Sequence, residues 1–425
     1  MVTITKRLLA LAVMVIMVLS LAVGMAGCNT FGLEKYKEKA KSEIDSYAQA
    51  NYREETWTAI QNVVANNKRS IDVAKSKSQV DKVVTATKQA IDKVEAERIK
   101  PMYGAEEYTE GSGTENAPYI ISTKGHLIYF SNQINSGENT SAYFALGADI
   151  DLENMEWTPI GILTAYYNGG NCFYGVFDGK GYEVSNFCIT TRQKNTRAEN
   201  IGLFGYNAGT IQNLGVVDFD IDISWSYEFG YIWSVSAGGL AGRNLGNIAN
   251  CFVIGNIDLE YSGRSTSVST SPSHVNAGGL VGSGSYGSSN GIITDCYAVV
   301  DVSAKCSDEP GGSVYAAGLV AGGNAKNCFA TGDVSVDGIS LYYTQGGASN
   351  LGAIELLNCY GYEGQEINSS SLFGPSVDYC SADELNDSGF YTDKLGWNAD
   401  DWDLENLEFA GGKYLNGNYP KLIKK

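Results

Sequence analysis

The side chains able to do covalent, metal or acid–base chemistry in this 425-residue chain are nine cysteines, two histidines and 48 carboxylates. Their spacing decides what they can do. His126 and His274 stand far apart, and no His-Glu-x-x-His pair offers a zinc site with its general base. Eight of the cysteines are Cys172, Cys188, Cys251, Cys296, Cys306, Cys328, Cys359 and Cys380. A Cys–His nucleophile pair would need one of two isolated histidines to land beside one of them, a poor prospect. Asp218, Asp220 and Asp222 alternate, so an extended strand puts all three on one face. Two carboxylates at a defined separation could cleave a glycosidic bond there. A plain solvated face fits the same alternation and is preferred. Trp225, Tyr227, Phe229, Tyr231 and Trp233 recur at every second position. In a strand their rings form one row, suited to sugar stacking, to a protein hot spot, or to burial against a neighbouring flank. These five are the candidate ligand-binding residues. No catalytic residue, metal ligand or cofactor-binding residue is assigned.

Cys28 offers chemistry of another kind. Lys6 and Arg7 precede an apolar run from Leu8 to Val23, interrupted only by Ser20. Met25-Ala26-Gly27-Cys28 comes next, small residues and then a thiol. Small residues after an apolar run make a secretory cleavage site. With the cysteine directly behind them, the pattern resembles the bacterial lipobox, with Met25 where Leu is commoner. The resemblance implies that Cys28 receives a diacylglyceryl group and becomes the mature N-terminus. Two acyl chains hold a protein stably on a membrane where one holds it marginally. The expectation is a protein anchored by lipid on the extracytoplasmic face of a bacterial membrane.

Charge separates the chain beyond Cys28 into two parts. Residues 31–100 carry a net +3, and residues 101–425 carry a net −23. The acidic part argues against nucleic acid, whose binding depends on neutralising phosphates. Glycine is abundant at 50, tyrosine at 27, and proline is scarce at 7. That composition points to short strands and tight turns.

Residues 31–100 read as helices. Leu33–Ala50 is a first candidate and 51–75 a second, with Trp57, Ile60, Val63 and Val64 at helical spacing. Ser78-Gln79-Val80-Asp81 reads as a capping box opening a third. Val80, Val83, Val84, Ala90, Ile91 and Val94 then form one stripe that Pro101 ends. Three such helices make a small bundle. The segment resembles the three-helix modules of Gram-positive surface proteins, which implies a spacer or a binding module. The spacer is preferred.

Beyond a linker at 105–119 and a short helix from Ser122-Thr123 to Ile134, the chain repeats. Gly202-Leu203, Gly239-Leu240, Gly279-Leu280 and Gly318-Leu319 each meet another glycine within three residues. Their leucines are 37, 40 and 39 residues apart. Each is succeeded by a second motif, which occurs once more at the end: Ile211-Gln212-Asn213-Leu214, Ile248-Ala249-Asn250-Cys251-Phe252, Ile293-Thr294-Asp295-Cys296-Tyr297, Ala325-Lys326-Asn327-Cys328-Phe329 and finally Leu356-Leu357-Asn358-Cys359-Tyr360. Units that cannot bury an apolar face alone stack and share a core, which predicts a parallel β-solenoid. Stacking puts Cys251, Cys296, Cys328 and Cys359 in one interior column. Phe252, Tyr297, Phe329 and Tyr360 form an aromatic column facing the other way. Buried thiols acting as small hydrophobes are preferred to disulfides, though rung spacing would permit a bridge and Cys172 with Cys188 is a separate pairing.

These repeats resemble the GLUG motif of bacterial surface proteins, among them IgA-cleaving metallopeptidases and haemagglutinin-like adhesins. Asp149-Ile150-Asp151-Leu152, Trp157-Thr158-Pro159-Ile160-Gly161 and Phe177-Asp178-Gly179-Lys180-Gly181 resemble the lead-in before such repeats. Leu395-Gly396-Trp397 and Asn418-Tyr419-Pro420 resemble the tails that close them. The expected layout is a lipoprotein signal peptide at 1–27, the lipidated cysteine and helical spacer at 28–100, and a linker and lead-in at 101–189. GLUG-type repeats occupy 190–370 and a closing segment 371–425. The expected fold is mainly β, a parallel β-helix ectodomain behind a small three-helix bundle. The expected function is non-catalytic binding at the cell surface, adhesion or capture of a glycan or protein ligand. The expected partners are the membrane, through the lipid, and that ligand, with no nucleic acid. Insertions at 225–233, 260–276 and 303–314 would build a binding face on one edge. The alternatives are a polysaccharide-degrading β-helix enzyme and a structural stalk.

Overall fold

The computed structural model describes residues 30–44, 54–92, 104–162, 171–190, 198–227, 234–263, 274–284, 291–306, 313–338, 341–345, 356–368 and 377–425. The chain divides into two compact units, residues 1–101 and 102–425.

In the first unit the helices are α1 (Thr30–Ile44), α2 (Glu54–Val73) and α3 (Lys77–Asp92). Ala40, Ile44, Ile71, Ala74, Val80 and Val83 share one small buried cluster, with Val64 and Val84 packed against it. The buried Lys37 ammonium donates to the Asp72 carbonyl at 2.8 Å and to Glu34 at 2.9 Å. The start of α3 corrects the expected capping box. Ser76, not Ser78, accepts from the Gln79 N–H, while Gln79 Oε1 accepts from Lys75 N. Ser78 lies inside the helix, because the serine two residues earlier satisfies the exposed N–H groups first. The side chains of Trp57, Ala90 and Ile91, and all of Val94, lie outside the described residues.

The second unit is mainly β, a parallel β-solenoid of about four turns. One turn visits three sheets in succession, through Ser234–Gly238, Ala241–Asn244 and Asn247–Gly263. Each strand pairs in parallel with its counterpart one turn on. Val275 pairs Val235 and Val314, Ala241 pairs Phe204 and Val281, and Ile257 pairs Ile221 and Val302. Like side chains therefore stack into columns along the axis, as the repeat demands.

Three kinds of corner hold the turns together. At the Gly-Leu corner the leucines Leu203, Leu240, Leu280 and Leu319 are fully buried. Leu240 N–H donates to the Leu280 carbonyl at 3.1 Å, and Leu280 N–H to that of Leu319 at 2.8 Å. The glycine is required by close approach: a Cβ on Gly279 would lie 2.0 Å from the Gly318 carbonyl oxygen. At the second corner Asn207 Nδ2 donates to the buried Asn244 Oδ1 at 2.7 Å. At the third, Asn213, Asn250, Asp295, Asn327 and Asn358 all adopt left-handed backbone with φ between 51° and 56°. Asn and Asp tolerate that conformation better than other L-residues. Their side chains form a ladder, Asn213 Nδ2 to Asp178 Oδ1 at 2.9 Å, Asn250 to Asn213 at 3.2 Å, Asn327 to Asp295 at 2.9 Å and Asn358 to Asn327 at 3.1 Å.

The cysteines directly after this corner point inward. Cys251, Cys296, Cys328 and Cys359 belong to the main core, and all the cysteines whose side chains are described are buried thiols. Cys251 N–H approaches Cys296 Sγ at 3.3 Å. Burial pushes the Cys296 thiol well above its ordinary range, and the neighbouring Cys328 thiol, followed by burial, does the same to Cys359. Cys188 Sγ points to the Met155 carbonyl at 3.5 Å and is not bridged to Cys172.

A helix closes one end of the core. Thr123 caps the helix Lys124–Ser136 (α4) by accepting from His126 N, and Gly137 ends it in left-handed backbone. Its Leu127, Ile128, Phe130 and Ile134 join the main core, with Phe130 against Phe144, Phe173, Phe177 and Phe204 of successive turns.

The outer face of the long sheet is covered by residues 377–425. Phe252, Tyr297 and Phe329 stack outside the solenoid at 5.1 and 5.0 Å, with their rings nearly parallel. Phe390, Tyr391, Trp397, Trp402 and Tyr419 lie against that column. The segment runs back along the axis. Asn358 Nδ2 donates to the Lys394 carbonyl, Trp397 Nε1 to Asn327 O, and Tyr297 Oη to Pro420 O at 2.7 Å. At the first turn Lys424 meets Asp149 at 2.7 Å and Lys425 N–H donates to Lys180 O.

Candidate functional site

Where the closing segment stands off the sheet, a groove of about 740 Å³ opens along four successive turns. The outward residues of the long strands build one side of it. Val217, Ile254 and Val299 are in register and form an apolar floor. Two residues further along the strand, or three where Asp218 is inserted, Asp220, Asn256 and Asp301 are in register and form a polar wall, continued by Asp333. The last two carboxylates are held by the neighbouring turn, since Asp301 Oδ1 accepts from Asp333 N and Asp333 Oδ1 from Glu366 N, both at 2.9 Å. The opposite wall belongs to the closing segment: Gly411, Gly412, Lys413, Tyr414, Gly417 and Tyr419.

The three glycines take left-handed backbone, and a Cβ at any of them would meet no atom within 4 Å, so the rim is open. Tyr414 is anchored by its hydroxyl against that of Tyr391, and burial pushes its phenol well above the usual range. Tyr419 Oη donates to Glu183 Oε1 at 3.1 Å. Burial raises the Glu183 carboxyl above its ordinary value, against the pull of that hydrogen bond. At the foot of the asparagine ladder, Asp178 behaves oppositely. Burial works against its ionisation, yet hydrogen bonds from Asn213, Lys180 and Gln212 hold its carboxyl below the ordinary value.

The structure treats the residues singled out from sequence unevenly. Asp218, Asp220 and Asp222 do not form one regular face. Asp218 is an inserted residue with φ 53°, placed where Val217 pairs Ile254 and Phe219 pairs Gly255. This β-bulge breaks the alternation that spacing alone implies. Asp218 and Asp220 line the groove and Asp222 does not. Trp225 and Tyr227 end the strand Thr210–Tyr227, opposite Tyr261 and Gly263. Their side chains, and all of Phe229, Tyr231 and Trp233, lie outside the described residues, as does Cys28. His126 serves the cap of α4, its ring facing Ser122 N at 3.3 Å, and His274 opens the strand His274–Gly278. Among the described residues no three His, Cys, Asp or Glu side chains converge as metal ligands.

Asn256, Asp301 and Asp333 were not singled out from sequence, though a signal exists. Each stands four residues after the outward aromatic, Phe252, Tyr297 or Phe329, and directly before Ile257, Val302 or Val334. The bulge at Asp218 hides the fourth member, Asp220, by adding one residue.

No family model and no solved structure matches the chain. Part of it is similar to a Gly-rich membrane protein of Evansella cellulosilytica, 31% identical over 154 residues, which is 34% of this chain and 15% of that protein. Part is similar to halomucin of Haloquadratum walsbyi, 29% identical over 161 residues, 35% of this chain and 2% of that protein. The chain thus spans only a small share of either relative. The likeness is to membrane- and surface-associated proteins. No helix among the described residues is long and apolar enough to cross a membrane.

Proposed function

We propose that this chain is a lipid-anchored surface protein that binds a ligand in the groove of its solenoid without transforming it. Cys28 carries the lipid, the helical unit acts as a spacer bundle, and the GLUG-type solenoid presents the groove for adhesion or capture. The groove itself is the observation that carries this reading, because it combines an apolar floor, a polar wall and an open rim in one concavity.

The test is a groove-filling variant of the full chain displayed on cells. Asn256 is exposed, faces outward and has space in front of it, so Asn256→Trp fills the groove while leaving the core alone. Adhesion to a panel of glycan and protein coatings should fall in the variant while surface display is unchanged. Equal adhesion by both proteins on every coating that the parent holds would remove the groove from the function.

A further inference from the structure

We propose that the groove takes a linear glycan of neutral or cationic sugars, lying along the solenoid axis with one sugar per turn. This rests on the groove being the binding site, and it names the ligand. Three features lead to it, beginning with geometry. Floor and wall are columns that repeat once per turn, at about 4.8 Å, close to the length of one pyranose ring. The wall spans four turns, through Asp220, Asn256, Asp301 and Asp333, but the apolar floor spans three, through Val217, Ile254 and Val299, so floor and wall together offer positions for about three sugars.

Chemistry supplies the second feature. A pyranose has a face of C–H groups and an edge of hydroxyls. The groove sets the apolar Val217, Ile254 and Val299 beside the polar column in the same side-by-side order. Carboxylates only accept hydrogen bonds, so this wall calls for a ligand rich in donors. Hydroxyl and ammonium groups qualify. Uronates and sulfated sugars bring further acceptors and negative charge to a wall that already holds three carboxylates, and like charges in a groove are repelled.

The third feature weighs against a peptide. Extended peptides add to a sheet through exposed strand edges. Here the floor is the face of a parallel sheet whose backbone groups already pair with the turns on either side. A peptide would find no row of N–H and C=O groups to join.

The experiment is calorimetric titration of the full chain in detergent with three series of β-linked oligosaccharides, one to six units long: neutral, amino-substituted and uronic. Affinity for the neutral and amino series should climb to about three units and then level off. Uronic oligomers should bind at least about tenfold more weakly, a gap that Asp301→Asn narrows. Asn256→Trp should abolish all binding. Equal affinity for uronic and neutral series, or affinity that ignores length, overturns the proposal. If no oligosaccharide binds while Asn256→Trp still abolishes adhesion to a protein coating, the glycan is wrong and the groove stands. If adhesion survives Asn256→Trp, both fall.

Discussion

At the scale of single residues, the solenoid depends on what asparagine does at the third corner. Asn250 performs two tasks there: it accepts left-handed backbone at φ 51°, and its amide donates to Asn213. The two can be separated. Asn250→Gly keeps the backbone and loses the amide. Asn250→Ala loses the amide and adds a left-handed penalty of roughly 1–2 kcal/mol. Either change breaks the ladder next to Asn213, whose half-buried acceptor loses its partner at a cost of about 0.5–1.5 kcal/mol. Chemical denaturation should therefore rank wild type above Gly and Gly above Ala. Equal losses for the two variants would mean that the amide alone matters. The buried thiols one residue further on do a simpler job. They fill an interior column that Leu214 continues in the turn before, and the raised pKa values of Cys296 and Cys359 favour their protonated, inert form.

At the scale of elements, the closing segment adds what the repeats lack. The column Phe252, Tyr297, Phe329 and Tyr360 would be an apolar stripe on the outside of a solenoid, and residues 377–425 cover it. Glu183 is one docking point, and its charge is a cost. Burial makes the folded protein hold the Glu183 proton more tightly than the unfolded chain does. Its contribution to stability is thus complete below the ordinary carboxyl value of 4.5 and is lost as the pH rises through the folded value. Glu183→Gln keeps an acceptor for Tyr419 and removes the charge. The variant should melt above wild type at pH 7 and match it at pH 4, and a pH-independent difference would refute this account. The elements also show how much was legible in the sequence. The parallel solenoid, the inward cysteines and the outward aromatics followed from repeat spacing, because a stacked fold turns sequence period directly into columns. The capping serine at 76, the bulge at Asp218 and the asparagine ladder did not. Each depends on one residue's backbone torsion, which spacing does not encode. The groove was hidden for a different reason: its two walls are at least 78 residues apart, from Asp333 to Gly411, and only the path of the closing segment brings Gly411 opposite Asp301.

At the scale of the second unit as a whole, that path changes how the solenoid should unfold. In a stack of repeats each turn touches only its neighbours, so the ends fray before the middle. Here the closing segment leaves the last turn at Asn358, crosses Asn327 and Tyr297, and fastens to the first turn through Tyr419, Lys424 and Lys425. The first turn cannot loosen without releasing the segment, and the segment cannot leave without uncovering the aromatic column. Burial of those rings is worth on the order of 0.5–1.5 kcal/mol per aromatic pair beyond the area removed from water. The two ends are thereby coupled through a strap rather than through every intervening turn. Removing residues 419–425 cuts the strap at the first turn and takes away Leu422, the strand partner of Trp402, but leaves Phe390, Tyr391 and Trp397 against Phe329. Hydrogen exchange of the full chain should then show amides of 119–189 opening well ahead of those of 247–306, where the intact protein protects both alike. If the shortened chain keeps equal protection at both places, the turns themselves carry the cooperativity, and the segment serves only to cover the stripe and to form the far wall of the groove.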